Sequence, residues 1–335
     1  MKHTGIHILI IFIFLLLIAG CKKDDSPSGG NVPLYYVTAT VTNPAGQPQG
    51  GAILKLKGKD DTDPVFATIT DSLGKGTIQT PEGAQTLVAK IGSVFLKEIN
   101  VNVAASTTPT DAGTIQLTQN TTLKVLVVKA SAEQLEDVLR DSVIGFTTFD
   151  SITVYALNDS VAADSNRALA MISQYTLIFS DCDGGSEYAY APLARVYMKY
   201  VEAGGKIYGG HYNFYHLQKI FTPYYSMYDY QGNSSTDSIS VTNANLQAAL
   251  GFTVAKWYSY DSRALSGYEK FTDLPATTTV YAVIYGTSPA VAVIAENHLG
   301  TGKYLWTDYH NQDVIKAYPR DQRLVKIVQY FLYTL

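Results

Sequence analysis

The stretch GGKIYGGHYNFYHLQKIF, residues 204–221, decides how the second half of this chain is interpreted. Two glycines precede a short apolar segment, two more follow it, and a histidine then opens a helical pattern. A strand, a tight turn with a polar side chain and a helix is the arrangement by which many α/β enzymes present a nucleophile. The residue at this turn is His211, with no serine or cysteine beside it. The stretch predicts an α/β fold and leaves open an active site, a binding site or the remnant of one.

Residues 122–335 alternate between apolar strands and helical segments. Residues 123–128 form a continuous apolar run, which is typical of a buried parallel strand. Asp164 or Ser165 is expected to cap a later helix, since either side chain accepts hydrogen bonds from backbone N–H groups. The alternation predicts a doubly wound α/β domain, a parallel sheet with helices on both faces. Residues 222–279 are less regular and are interpreted as an insertion over one edge or the top of the sheet.

Residues 35–120 contain no helical pattern, and their roughly seven short strands with turn sequences between them predict an all-β sandwich. Within them, VTATVTNPAGQPQGGAILKLKG and ATITDSLGKGTIQTPEGAQTLVAKIGS resemble the carboxypeptidase-regulatory-like family of immunoglobulin-like sandwiches. The resemblance rests on Gly46, on Gly51 with Ala52, and on the TDSLG turn at residues 70–74. These are structural turns, so the resemblance implies a stalk or spacer rather than an activity.

The first 20 residues have the pattern of a signal peptide. Basic residues precede an apolar run at 6–18, which is shorter than the roughly 20 residues that a membrane-spanning helix needs. The residues IAG stand directly before Cys21, an order that resembles a bacterial lipobox. That resemblance implies that Cys21 is lipidated and anchors the chain to a membrane. The alternative is a plain secretory signal followed by a chance cysteine.

Residues 21–34 form a polar tether rich in glycine, proline and serine. The charges KKDD at 22–25 resemble the export signal of surface lipoproteins in Bacteroidota. The resemblance implies an outer-membrane protein displayed at the cell surface, with display in the periplasm as the alternative.

The composition of the chain limits the kinds of molecule that it is expected to bind. The net charge is −4 and only 16% of the residues are charged, so no nucleic-acid partner is expected. The spacing of cysteine and histidine fits no zinc site, and no metal or cofactor is predicted. The 25 tyrosines suit contact with sugars or proteins, although they could equally pack against strand faces.

Three segments resemble the class I glutamine amidotransferase-like superfamily, whose sheet is flavodoxin-like. They are YTLIFSDCDGG (175–185), YVEAGGKIYGGHY (200–212) and LGTGKYLWTDYHN (299–311). In that family the first carries oxyanion donors, the second the nucleophile and the third a catalytic histidine. Here the position of the nucleophilic cysteine is His211, Asn213 replaces a glycine, and Gln312 follows His310 where a glutamate is expected. The resemblance therefore implies the fold without glutaminase activity.

Ligands of open parallel sheets bind at the carboxyl ends of the strands, and polar residues follow three predicted strands here. His211, His310, Asp181 and Asp183 are the candidates for catalysis. Cys182 is interpreted as a structural residue, because flanking carboxylates raise the pKa of a thiol. His216 is expected to face elsewhere on its helix. The predicted ligand-binding residues are His211, Tyr212, Asn213, Asp181, Asp183, Tyr224, Tyr225, Asp308 and His310.

The sequence thus favours a lipid-anchored protein whose amidotransferase-like domain has lost its nucleophile and binds a glycan or a protein. The alternative is a hydrolase that uses His211, His310 and a carboxylate at the strand ends, with or without a metal.

Overall fold

The structure is a computed structural model that describes residues 32–182, 187–221, 227–230, 238–256, 268–271, 274–284, 292–307 and 322–334. Within these ranges, no helix combines the length and the apolar character needed to cross a membrane.

The N-terminal β-region, residues 34–119, forms two sheets. Its strands are β1 (Leu34–Thr42), β2 (Ile53–Leu56), β3 (Ala67–Ile69), β4 (Lys75–Pro81), β5 (Gly83–Ile91), β6 (Phe95–Val103), β7 (Thr110–Gln116) and β8 (Thr118–Gln119). One sheet has the order β4-β1-β7 and the other β3-β2-β5-β6-β8. Alternate residues of β1, Val37, Ala39 and Val41, are buried, as the two-residue period of a strand requires. They share one core with Leu54 and Leu87 of the second sheet.

The α/β region, residues 125–334, follows directly. Its helices are α1 (Leu135–Leu139), α2 (Val154–Ala163), α3 (Ser165–Ile172), α4 (Glu187–Glu202), α5 (Phe214–Ile220), α6 (Ala244–Leu250) and α7 (Gln322–Tyr333). Its strands are β9 (Val125–Lys129), β10 (Asp150–Thr153), β11 (Leu177–Ser180), β12 (Lys206–Gly209), β13 (Met227–Tyr230), β14 (Ser238–Val241), β15 (Val254–Lys256), β16 (Tyr268–Phe271), β17 (Thr279–Ile284), β18 (Ala292–Leu299) and β19 (Gly302–Thr307).

The main sheet of the described residues is mixed, with the order β10-β9-β11-β12-β19-β18-β17-β14-β15. The strands β10, β9, β11, β12 and β19 run parallel, as predicted. The remaining strands are antiparallel, which the expectation of a parallel sheet did not include. The reason at β18 and β19 is a two-residue turn at Gly300, which can join only antiparallel strands. Strands β14 and β15, from the predicted insertion, extend this antiparallel edge.

Helices cover both faces of the parallel strands, as predicted. On one face, Val127 and Phe179 share a core with Val328 of α7. On the other face, Leu126 and Ile178 pack with helices α2 to α5. Buried residues on both faces explain why these strands are apolar throughout.

Two helix starts show how local sequence sets the boundaries. The strand β10 ends at Thr153, because the Thr153 hydroxyl accepts the Ala156 N–H and so begins α2. The predicted cap at Asp164 is confirmed, since its carboxylate accepts the N–H groups of Asn166 and Arg167.

Candidate functional site

The candidate site lies at the carboxyl ends of β9, β11 and β12, an edge of the sheet that we call the rim. Asp181 directly follows β11, and His211 stands two residues after the end of β12. Backbone bonds hold these ends together, because Gly210 N–H donates to Ser180 O at 3.1 Å and Asp181 N–H donates to Val128 O at 2.9 Å. The predicted convergence of these two strand ends is therefore present.

The turn after β12, which we call the elbow (His211–Asn213), is a single 3₁₀ turn. It leads directly into α5, as the opening stretch predicts. His211 is buried at 3% exposure, and its backbone carbonyl accepts the Trp306 indole N–H at 2.8 Å. Trp306 belongs to β19, so the neighbouring parallel strand fixes the elbow from the side.

Asn213 fills the position where the resembled family keeps a glycine. Its amide nitrogen donates to Ser180 O at 3.0 Å and to Asp181 O at 3.1 Å. Its Oδ1 accepts the Tyr304 hydroxyl at 3.1 Å. The side chain is 1% exposed. Asn213 therefore ties the elbow to two strands of the sheet, β11 and β19, from inside the protein.

His216 joins this network from the next turn of the helix. Its Nδ1 lies 3.1 Å from Asn213 Oδ1. Since the Asn213 amide nitrogen faces two carbonyl groups, Oδ1 is the acceptor and His216 Nδ1 carries the proton. Burial lowers the pKa of His216 to about 3, which makes the imidazole neutral at physiological pH. The expectation that His216 faces elsewhere missed this contact, because the partner is Asn213 rather than His211.

Two buried carboxyl groups, those of Glu133 and Asp181, lie near the elbow. Glu133 is fully buried, and its Oε2 accepts the Cys182 N–H at 3.0 Å. A methyl group added at Gly210 would collide with Glu133 Oε2, so this carboxylate touches the backbone of the elbow. Asp181 is also buried and accepts the N–H groups of Leu135 at 3.0 Å and Ala130 at 3.3 Å.

Burial raises the pKa of Asp181 well above its ordinary value, and the charges of Glu133 and Glu136 raise it further. Glu136 in turn pairs with Lys129 at 2.8 Å, and that hydrogen bond raises the pKa of the Lys129 ammonium. Lys129 thus offsets part of the negative charge of Glu136 and Asp181. The repulsion between these carboxyl groups therefore favours the protonated form of Asp181 more than in an isolated aspartate.

Cys182 is a buried thiol, as predicted for a structural residue. In the described part of the chain, no group of three histidine, cysteine or acidic side chains has the geometry of a metal site. The structure brings together Asp181, His211 and Asn213, and it includes the backbone of Tyr212 in the elbow. The other predicted site residues, Asp183, Tyr224, Tyr225, Asp308 and His310, lie outside the described residues.

Sequence reasoning missed Glu133, His216, Tyr304 and Trp306. Glu133 carried a usable signal, because it stands four residues beyond β9 and therefore near a strand end, as the predicted site residues after β11 and β12 do. The aromatic residues carried none, since an apolar strand gives no indication that its rings reach a polar network.

The chain matches no protein-family model, and no curated protein matches its sequence. Solved structures resemble it at low identity. A Thermoplasma acidophilum protein assigned to GMP synthase is 14% identical, with a TM-score of 0.45, over 63% of this chain and 92% of its own. A glutamine amidotransferase from Thermotoga maritima is 14% identical, with a TM-score of 0.40, over 63% of this chain and 84% of its own.

A third structure, PurLQS from Thermotoga maritima, is 13% identical and covers 63% of this chain and 99% of its own, with a TM-score of 0.37. Amidotransferase-like folds are therefore among the structural neighbours. Because these TM-scores are below 0.5, the chemistry of the site rests on its own geometry.

Proposed function

We propose that this chain is a lipid-anchored envelope protein whose amidotransferase-like domain has lost its nucleophile and binds a glycan or a protein without catalysis. In this proposal Cys21 carries the lipid, the β-region is an immunoglobulin-like sandwich, and the rim meets the ligand. The location is the outer membrane, facing the cell surface or, alternatively, the periplasm.

The observation that carries the proposal is the elbow itself. A nucleophilic site needs serine, cysteine or threonine with a base in reach, and the elbow presents His211 instead. Its neighbours are engaged in internal hydrogen bonds, with Asn213 bound to two backbone carbonyls at the end of β11 and His216 held neutral. Groups fixed in this way support a turn rather than a proton transfer.

Ligand contact is then assigned to predicted aromatic residues in the elbow and after it in the sequence, chiefly Tyr212, Tyr224 and Tyr225. Aromatic rings with a few polar neighbours suit the faces of a sugar or the side chains of a peptide. Buried Asp181 and Asn213 hold the elbow in place rather than touching the ligand.

A binding assay tests this assignment. Purified protein is applied to a glycan array and used to capture envelope proteins, in parallel with a Tyr224→Ala/Tyr225→Ala variant. Tyr36→Ala is the matched control, because Tyr36 is an exposed tyrosine of the β-region, 48% accessible and away from the rim. Binding by the wild type and the control but not by the double variant supports the proposal. The absence of any glycan or protein ligand contradicts it.

A second candidate function is favoured by one observation, the raised pKa of Asp181 beside the elbow. A carboxyl group whose pKa is raised can serve as a general acid, and His211 with His310 would complete a hydrolase. Metal analysis of the purified protein, together with activity screens of the wild type and of His211→Ala, decides between the two. Bound zinc, or an activity that His211→Ala abolishes, favours the hydrolase.

A further inference from the structure

The chain enters the β-region at one end of its long axis. Leu34 pairs with Pro81, which directly precedes the β5–β6 hairpin at Gly83. The opposite end of this hairpin is the turn where Ile91 pairs with Phe95. Nine-residue strands separate the two ends, so their distance is roughly 27 Å at about 3.4 Å per residue.

The far end of the hairpin packs against the α/β region. The Phe95 ring meets Phe146 edge to face at 6.1 Å between centroids, and it meets Tyr333 at 5.9 Å. Phe95 and Phe146 are fully buried and belong to a hydrophobic core shared by both regions. We call this contact the joint.

Hydrogen bonds fix the orientation of the joint. Gln119 Oε1 accepts the N–H groups of Thr147 at 3.1 Å and Thr148 at 2.9 Å, and its amide nitrogen donates to Thr148 O at 2.6 Å. The Tyr333 hydroxyl donates to Gln49 Oε1 at 3.2 Å. Each bond crosses from one region to the other, so rotation between the regions would break several at once.

Two glycines bring the backbones of the two regions into contact. A Cβ on Gly92 of the β-region would lie 2.6 Å from the Tyr333 carbonyl oxygen. A Cβ on Gly145 of the α/β region would lie 2.7 Å from Pro44 Cβ. Both glycines also have positive φ, which other residues rarely adopt. A methyl group at either glycine of the joint would therefore clash with the other region.

The joint lies at the end of the parallel sheet opposite the rim. Gln119 precedes the amino end of β9, Thr148 precedes the amino end of β10, and Tyr333 ends the helix that runs back from β19. The rim is formed by the carboxyl ends of the same parallel strands. Leu34, the joint and the rim thus follow one another along the molecule.

We propose that the two regions form one rigid unit that holds the rim at the end remote from the membrane anchor. The rim then faces the aqueous medium and contacts ligands that belong to other molecules. It does not contact the lipid surface to which the protein is anchored. This inference rests on the proposed anchor at Cys21. The hairpin contributes roughly 27 Å and β9 roughly 13 Å, so a rim in line with the hairpin lies about 40 Å from Leu34.

The first experiment measures the rigid unit without the membrane. Glu82 lies at the Leu34 end and Ser131 at the rim, and both are exposed. In a chain with Cys21→Ser, spin labels at Glu82→Cys and Ser131→Cys report their separation by pulsed electron paramagnetic resonance. Cys182 is buried, so the parent chain serves as the unlabelled control. One narrow distribution near 40 Å is expected. A broad distribution overturns the rigid unit, and a narrow one centred well below 40 Å overturns the placement of the rim at the remote end.

The second experiment uses the lipidated chain in phosphatidylcholine vesicles that carry an acceptor dye on the headgroups. Energy transfer from a donor at Glu82→Cys should exceed transfer from a donor at Ser131→Cys at least twofold. Equal or reversed transfer overturns the proposed orientation. If neither donor transfers energy to the vesicles while the spin-label distance remains narrow, the rigid unit stands but the proposed lipid anchor is refuted. The orientation of the rim away from the membrane is then refuted as well.

Discussion

The buried imidazole of His216 gives a prediction whose size follows from the structure. The folded state holds this ring neutral, with a pKa of about 3 against an ordinary value of 6.5. A group whose pKa is lowered by folding contributes stability that is fully present above its unfolded pKa and is lost as the pH falls toward the folded value. The loss amounts to about 1.4 kcal/mol per pH unit below 6.5, and to roughly 5 kcal/mol over the whole interval.

The perturbation is His216→Asn, because the asparagine amide can reproduce the Nδ1–H donor toward Asn213 without gaining a charge in acid. Equilibrium urea unfolding of the wild type and the variant is measured at pH 7, 6, 5 and 4. The free energy of unfolding of the wild type should fall toward that of the variant by about 1.4 kcal/mol per pH unit below 6.5. Using the difference between the two proteins removes the contribution of every other titrating group.

NMR of the His216 ring provides an independent reading of the same quantity. Its resonances should stay in the neutral form down to about pH 4. If the His216 ring titrates near pH 6.5, or if the unfolding free energies of wild type and variant depend equally on pH, then folding does not lower the pKa of His216. The ring would then be in contact with solvent.

Three further predictions concern the carboxyl groups and the joint. Folding raises the pKa of Asp181, so this residue contributes stability at low pH that is lost as the pH rises through the folded pKa. In urea titrations, Asp181→Asn should therefore reduce the fall in unfolding free energy with rising pH. Gly210→Ala forces a methyl into Glu133 and should cost about 1–3 kcal/mol; in a double-mutant cycle, Glu133→Ala should recover most of that loss, whereas additive effects would contradict the contact. Phe95→Ala should lower the unfolding free energy by about 3–5 kcal/mol, and calorimetry of the wild type should show one transition for both regions, since Phe95 and Phe146 lie in a common core.

Much of the fold could be predicted because it depends on local patterns. The apolar run at residues 123–128 supplies most of β9, and the segment at residues 206–209 is β12, because both faces of these strands are buried between helices. The cap at Asp164 follows from its own side chain and the next two residues. These signals require only neighbours along the chain, which a sequence displays directly.

The rest depends on contacts between residues that are distant in the sequence. Glu133 reaches the elbow across 77 positions to Gly210, and no local pattern links the two. The antiparallel edge depends on the pairing of β14 with β17, which is set by packing rather than by either strand alone. The site residues His211 and Asn213 were predicted as polar positions at a strand end, but their burial was not, because turn sequences give no measure of what covers them.

If the elbow is buried inside the protein, as proposed, and is not an open reactive site, then His211 and the nearby His216 are protected from reagents in solution. Chemical modification of histidines measures that protection directly. Diethylpyrocarbonate is added to the folded protein at pH 7, and mass spectrometry follows each histidine. His298, with 38% of its side chain exposed, is the internal control. The account predicts that His298 is modified while His211 and His216, at 3% and 1% exposure, remain unmodified until the protein unfolds. Modification of His211 as fast as His298 would contradict it.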